Sequence, residues 1–117
     1  MAENLETLFV YGTLHDPKVQ LLLIGRRLNS TPDVLLKYRR DTELFPPYPV
    51  AVVDADGYIN GWVLRVNSEE LERLDEYEGE NYIRVGVSLA SGLQAWVYTA
   101  SPLLLDKVAQ DNDEDGI

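Results

Sequence analysis

Glu78 stands where a charge is least at home. It closes the stretch Leu71-Glu72-Arg73-Leu74-Asp75-Glu76-Tyr77-Glu78-Gly79, in which Leu71, Leu74 and Glu78 fall at i, i+3 and i+7 and so share one stripe of a helix. Gly79 follows directly, and a glycine just past the last periodic position is the usual helix stop. A carboxylate placed there loses water to the apolar face and meets the negative end of the helix dipole. Both effects favour the protonated form and push the pKa upward, toward the range a general acid/base uses near neutrality. The competing reading is a frayed helix end that leaves Glu78 in solvent, since glutamate is rarely buried.

Other residue types offer further chemistry. Asp75, one turn earlier, is the rival carboxylate. Glu72 and Glu76 point to a solvated flank for it, and a position near Glu78 would let it raise that group's pKa. Upstream, Tyr11-Gly12-Thr13-Leu14-His15-Asp16 joins an apolar run to a proline-capped helix start within ten residues. Such a turn leaves backbone N–H groups near Gly12–Asp16 facing open space, a cradle for an anion or a developing oxyanion. Thr13 as a nucleophile would need an adjacent base, and His15 is the one histidine in the chain. The plainer reading is a strand-ending turn with a partly exposed loop histidine. Tyr82 and Arg84, two apart on a strand, share a face opposite Ile83 and Val85. Aimed into a cavity they would bind a carboxylate, with the guanidinium as bidentate partner; otherwise they form a solvent face. Ser88, Ser91 and Ser101 lack the context of a nucleophile elbow.

Composition bounds the function. The chain has 117 residues and 13.2 kDa, no cysteine, one histidine and a net charge of −10. It is long enough for one core without staples. Absent cysteine removes disulfides, thiol nucleophiles and thiolate metal sites, and a single histidine argues against zinc, so no metal site is expected. The acidic balance argues against nucleic acid or an anionic membrane as partner. Leu8–Tyr11 and Leu21–Ile24 are too short for a signal-peptide core or a membrane span, so a soluble cytoplasmic protein is expected, with a monomer as the default. Asp111-Asn112-Asp113-Glu114-Asp115-Gly116 opens like a calcium-binding loop, but Ile117 precedes the glutamate required at loop position 12. Residues 110–117 are therefore read as an acidic, disordered tail behind a single domain over 1–109.

The elements that must position these residues follow from pattern and punctuation. Thr7–Tyr11 is apolar on both faces and reads as a central strand. Asp16-Pro17 opens a helix to Ile24, with Val19, Leu22 and Leu23 inward and Gly25 as its stop. Val34–Tyr38 reads as a strand, Pro46-Pro47-Tyr48-Pro49 as an ordered loop or edge, and Val50–Val53 as a further strand. Asp54-Ala55-Asp56-Gly57 reads as a hairpin-type turn before the strand Tyr58–Val66. Asn67 and Glu70 suggest a capping box for the helix ending at Glu78. Tyr82–Leu89 and Leu93–Thr99 pair across Ser91-Gly92, and Leu103–Ala109 forms a last helix. The order β-α-β-β-β-α-β-β-α predicts an α+β fold with a mixed sheet that closes into a small barrel.

These motifs in this order resemble the gamma-glutamylcyclotransferase-like family, which includes avirulence-induced plant proteins and gamma-glutamylamine cyclotransferases. The resemblance rests on Leu8-Phe9-Val10-Tyr11-Gly12-Thr13-Leu14 and on Leu74-Asp75-Glu76-Tyr77-Glu78-Gly79 followed by Tyr82-Ile83-Arg84. Tyr48-Pro49, Gly61-Trp62-Val63 and Ala95-Trp96-Val97-Tyr98 support it. It implies a small mixed β-barrel with flanking helices, a catalytic glutamate at Glu78, and a substrate loop at Tyr11, Gly12, Thr13 and Leu14 that extends to His15 and Asp16. It also implies an acyltransferase or cyclising-lyase activity that converts a γ-glutamyl amine or amino acid to 5-oxoproline without a cofactor. The tryptophan-bearing C-terminal segment often found in that family has no counterpart here, so one pocket wall is expected to be open or supplied otherwise. The alternative function is a non-catalytic domain that holds a small anionic ligand or peptide end in the same pocket.

Overall fold

The structure, a computed structural model, describes residues 4–115, with side chains described through residue 109. Its elements are β1 (Glu6–Val10), a 3₁₀ turn (Thr13–His15), α1 (Pro17–Ile24), β2 (Thr31–Phe45), β3 (Tyr48–Val66), α2 (Ser68–Glu78), β4 (Tyr82–Ser88), β5 (Gln94–Ala100) and α3 (Pro102–Asp115). The five strands form one mixed sheet in the order β2-β3-β1-β5-β4. β1 is central, as its two-sided apolar pattern requires. Leu8 and Val10 enter the core beneath the helices, while Phe9 enters the core on the opposite face.

The sheet curls into a half-barrel, and pairing directions show where. β5 runs parallel to β1 (Leu8↔Trp96), and β1 runs antiparallel to the second half of β3 (Val10↔Trp62). Yet the first part of β3 runs parallel to β5 (Ala51↔Thr99). Both hold only if β3 swings round along its length, and the swing lies at residues 54–57. Leu36 pairs with Tyr58 and Tyr38 with Val53, so four residues of β3 face Lys37 alone. Lys37 takes a positive φ of 69°, and the Asp56 amide donates to Asp54 Oδ1 at 3.1 Å. Gly57 is required here: a Cβ on it would lie 2.6 Å from the Tyr38 carbonyl oxygen. Asp54–Gly57 is thus a bulge inside one long strand, which corrects the expected hairpin turn and merges two expected strands into one.

The hairpin tip moves to the prolines. β2 continues through the charged run Arg39-Arg40-Asp41 to Phe45, which pairs with Tyr48 across Pro46-Pro47, a cis peptide. Pro49 lies within β3, beside the break in register between Asp41 and Phe45, where an absent N–H removes no ladder bond.

The helices follow their capping signals. Asp16 accepts the Lys18 amide at 2.9 Å with Pro17 at the first position, and Gly25 (φ 76°) ends α1. Asn67 and Glu70 form a reciprocal capping box on α2. Two packing details differ from the pattern. Leu22, expected inward, is 84% exposed, and the buried positions of α1 are Gln20 and Ile24. Gln20 earns burial by donating to the Leu14 carbonyl and accepting from the Leu28 amide, both at 2.8 Å. Glu70 also binds Arg26 through Nε at 2.6 Å and Nη2 at 2.7 Å, which fixes the end of α1 against the start of α2. α3, expected to stop at Ala109, is helical to Asp115, so the segment read as a tail is helical over 110–115. Gly116 and Ile117, the last two tail residues, lie outside the described residues.

Candidate active site

α2 delivers Glu78 to the edge of a cleft. Leu71 and Leu74 are buried in the main core, and the same stripe carries Glu78 one turn further, half-buried and lining the cavity. Among the described residues its carboxylate has no hydrogen-bond or ion-pair partner. Burial raises its pKa from 4.5 to about 7. Gly79 then turns the chain with φ 73° and ψ −164°, a conformation open essentially to glycine, and leads into β4.

The cleft has a volume of about 460 Å³, within the ordinary range for small-molecule sites. Val10, Tyr11, Gly12, Thr13 and Leu14 line it from the end of β1, with Tyr98 of β5; Tyr82 faces them from β4. The turn is held by the His15 amide on the Gly12 carbonyl (3.1 Å) and the Asp16 amide on the Thr13 carbonyl (2.9 Å). The amides of Thr13 and Leu14 lie outside these bonds, as the first N–H groups of a 3₁₀ turn do. A stretch near the N-terminus and one some sixty residues later therefore meet across one pocket.

Two tyrosines of the cleft hold its walls with their hydroxyls. Tyr11 donates to the Tyr98 carbonyl at 2.5 Å and accepts the Ala51 amide at 3.0 Å, spanning the seam where β3 meets β5. Burial pushes its phenol well above the ordinary range, with smaller contributions from Tyr82 and Glu78. Tyr82 donates to the Pro49 carbonyl at 3.0 Å, tying β4 to the hairpin tip, and burial first, then Glu78, raises it to about 12. Both phenols stay neutral at physiological pH.

Two expected site residues, His15 and Asp16, and the open candidate Arg84 lie elsewhere. His15 stacks on Trp62 with ring centroids 3.6 Å apart and Nε2 3.2 Å from Ser30 Oγ, so it offers Thr13 no base. Asp16 is occupied as the cap of α1 and does not line the cleft. Arg84 shares a strand face with Tyr82 but lies outside the cleft. It forks onto Asp75 (Nε to Oδ1 3.0 Å, Nη2 to Oδ2 3.1 Å) and lies over the Trp96 ring at 4.4 Å. Asp75 also accepts the Tyr98 hydroxyl at 2.7 Å. The rival carboxylate is thus a bracket behind the cleft wall rather than a cleft residue. Burial, then the bond to Asp75, raises the Tyr98 phenol well above the ordinary range.

The structure also adds lining residues that the sequence reading did not place in the site: Tyr98, Phe45, Tyr48, Tyr77 and Asn81. A signal existed for two of them, since Phe45 and Tyr48 flank the prolines that form the hairpin tip.

A curled mixed sheet with an unpartnered, half-buried carboxylate in the same cleft as a strand-ending glycine turn defines the class, and sequence comparison defines the family. The chain belongs to the family described as "Gamma-glutamyl cyclotransferase, AIG2-like", whose model matches residues 8–116. It is 37% identical over 82 residues to Protein AIG2 C of Arabidopsis thaliana, covering 69% of this chain and 50% of that protein. To AIG2-like protein C of the same plant it is 36% identical, covering 70% of this chain and 48% of that one. The chain thus spans about half the length of these curated relatives. Its fold is similar to a solution structure from Arabidopsis thaliana (TM-score 0.72, 31% identity, 86% of this chain and 63% of that one). It is also similar to a crystal structure from Pyrococcus horikoshii (TM-score 0.64, 28% identity, 81% and 77%).

Proposed function

We propose that this chain is a cofactor-independent cyclotransferase that converts a γ-glutamyl amine or γ-glutamyl amino acid to 5-oxoproline, with Glu78 as general acid/base. The observation that carries the reading is an unpartnered, half-buried carboxylate, its pKa raised by burial to about 7, lining the same cleft as the Gly12–Leu14 turn. Ionised Glu78 takes one proton from the substrate's α-ammonium. The freed nitrogen attacks the γ-carbonyl carbon, and the carbonyl oxygen becomes an oxyanion. Amides of the Thr13–Leu14 turn are the donors suited to that oxyanion or to the substrate carboxylate. As the oxyanion collapses, the bond from the γ-carbon to the leaving nitrogen breaks. The proton held by Glu78 and a second one lost by the attacking nitrogen both pass to the leaving amine, which departs as an ammonium. Protons balance, and the ring closes within one molecule, so selecting a folded substrate conformer supplies much of the acceleration. The neutral phenols of Tyr11, Tyr82 and Tyr98 line the cleft without adding charge.

The test is a panel of γ-glutamyl amides and γ-glutamyl amino acids assayed for 5-oxoproline, with wild type beside Glu78→Gln. Turnover by wild type and its loss by at least about a hundredfold in the folded variant support the reading. Full activity in Glu78→Gln removes the role of that residue. Binding of γ-glutamyl compounds without turnover across the panel favours the non-catalytic binding domain.

A further inference from the structure

The cleft has a floor and a mouth of different character. Phe9, Val10, Leu14 and Tyr98 are buried at its base, whereas Tyr48 and Tyr77 are 51% and 47% exposed at its opening. Between them Phe45 packs on both neighbours, with ring centroids 5.6 Å from Tyr48 and 6.2 Å from Tyr82, the latter edge-on. The mouth is therefore an aromatic collar built by the β2–β3 hairpin tip, the end of α2 and the start of β4. The Tyr82 hydroxyl holds the tip to β4 through the Pro49 carbonyl, and Pro49 Cγ lies 3.2 Å from where a Cβ on Gly12 would stand. The collar is thus fixed relative to the turn.

Charge around the collar is one-sided. Among the described residues that line the cleft, the charged side chains are Glu78 and Glu80. Arg40, the cation beside the cleft, donates Nε to the Tyr11 carbonyl at 3.3 Å and does not line the cavity. Arg84 is committed to Asp75. A second carboxylate on the substrate would meet only acidic side chains among the charged residues that line the cavity, with Arg40 outside it.

We infer that the collar of Phe45, Tyr48, Tyr77 and Tyr82 is the subsite for the departing amine, and that it selects amines bearing an aromatic or extended apolar group and no carboxylate. The inference rests on the cyclotransferase reading, which seats the γ-glutamyl half at the turn and Glu78. Aromatic faces and edges recognise such a group directly, and an apolar collar desolvates a carboxylate without returning a partner.

Three substrates isolate the two halves of the claim: γ-glutamyl-ethylamide, γ-glutamyl-phenethylamide, which adds a ring to an alkylamine leaving group, and γ-glutamyl-phenylalanine, which adds a carboxylate to the phenethyl group. kcat/KM is expected to be about tenfold higher for the phenethylamide than for the ethylamide, and about tenfold higher than for the phenylalanine compound. Tyr48→Ala is expected to bring the phenethyl-to-ethyl ratio close to one. Tyr58→Ala, an exposed aromatic outside the cleft lining, is expected to keep the wild-type ratio. Equal kcat/KM for the two amides, a preference for the phenylalanine compound, or an unchanged ratio in Tyr48→Ala would overturn the collar's role while leaving the cyclotransferase standing. No turnover of any of the three by folded wild type removes both.

Discussion

At the scale of residues, Glu78 carries two pH effects of opposite consequence. As a base it must be ionised, so kcat/KM is expected to rise with pH through about 7 and level off above it. Stability moves the other way. The native state holds this proton more tightly than the unfolded chain, whose glutamate titrates near 4.5. Between 4.5 and 7 the native state therefore binds more protons, and stability falls as pH rises through that window. Glu78→Gln has no charge to bury. It is expected to match wild type below the window and to exceed it at pH 8 by on the order of 2 kcal/mol in urea unfolding. A variant less stable than wild type at pH 8 would show that the carboxylate has a partner the geometry lacks. Tyr11 is the second residue-scale case, because one hydroxyl serves Tyr98 and Ala51 together. Tyr11→Phe keeps the ring and leaves a buried carbonyl and amide unpaired, with an expected cost of about 2 kcal/mol and a Tm lower by about 10 °C in a thermal melt.

At the scale of elements, the glycine after α2 and the ion pair that joins α2 to β4 decide whether Glu78 stays in place. At Gly79 an added Cβ meets nothing within 4 Å, so substitution is a matter of backbone conformation and not of space. Gly79→Ala is expected to cost about 1–3 kcal/mol and to lower activity with it, since the last turn of α2 must rotate to relieve φ. Gly61 is the opposite case: a Cβ would lie 2.4 Å from the Val10 carbonyl oxygen and 2.6 Å from the Phe9 ring in the sheet centre. Gly61→Ala is expected to be the more damaging of the two, measured by the shift in denaturation midpoint. Arg84 acts through Asp75. Arg84→Ala leaves Asp75 with the Tyr98 hydroxyl alone and uncovers Trp96. Both partners of the pair are part-exposed, so the expected loss is only about 1 kcal/mol. A red shift of tryptophan emission would report the loss of the guanidinium from the ring.

At the scale of the whole molecule, the cleft is a product of the curl in the sheet. The bulge at Asp54–Gly57 turns β3 so that its first part reaches β5, and the hairpin tip then hangs over the ends of β1 and α2. This explains which sequence readings hold. Central β1, the capping box, the stop at Gly25 and the apolar stripe of α2 are local decisions, and each is found as read. The strand division at Asp54–Gly57 differs because two acidic residues and a glycine suit a hairpin turn and a wide bulge equally well. Their choice depends on the distant partner strand. Leu22 differs because α1 covers only one edge of the core, leaving half of an apolar run outside.

The sequence by itself determined the central strand, the helix caps and stops, the place of Glu78 on the apolar stripe of α2 and the turn at Gly12–Leu14, since each depends on neighbours within a few residues. Only the tertiary structure decided that these two stretches face one cleft, because β1 and α2 are brought together by pairing across the sheet. It also decided that Asp75 and Arg84 neutralise each other behind the wall, that His15 is spent on Trp62, and that aromatics flanking the prolines ring the mouth. Those assignments turn on which side chain meets which across long loops in sequence, and periodicity along the chain holds no information about that.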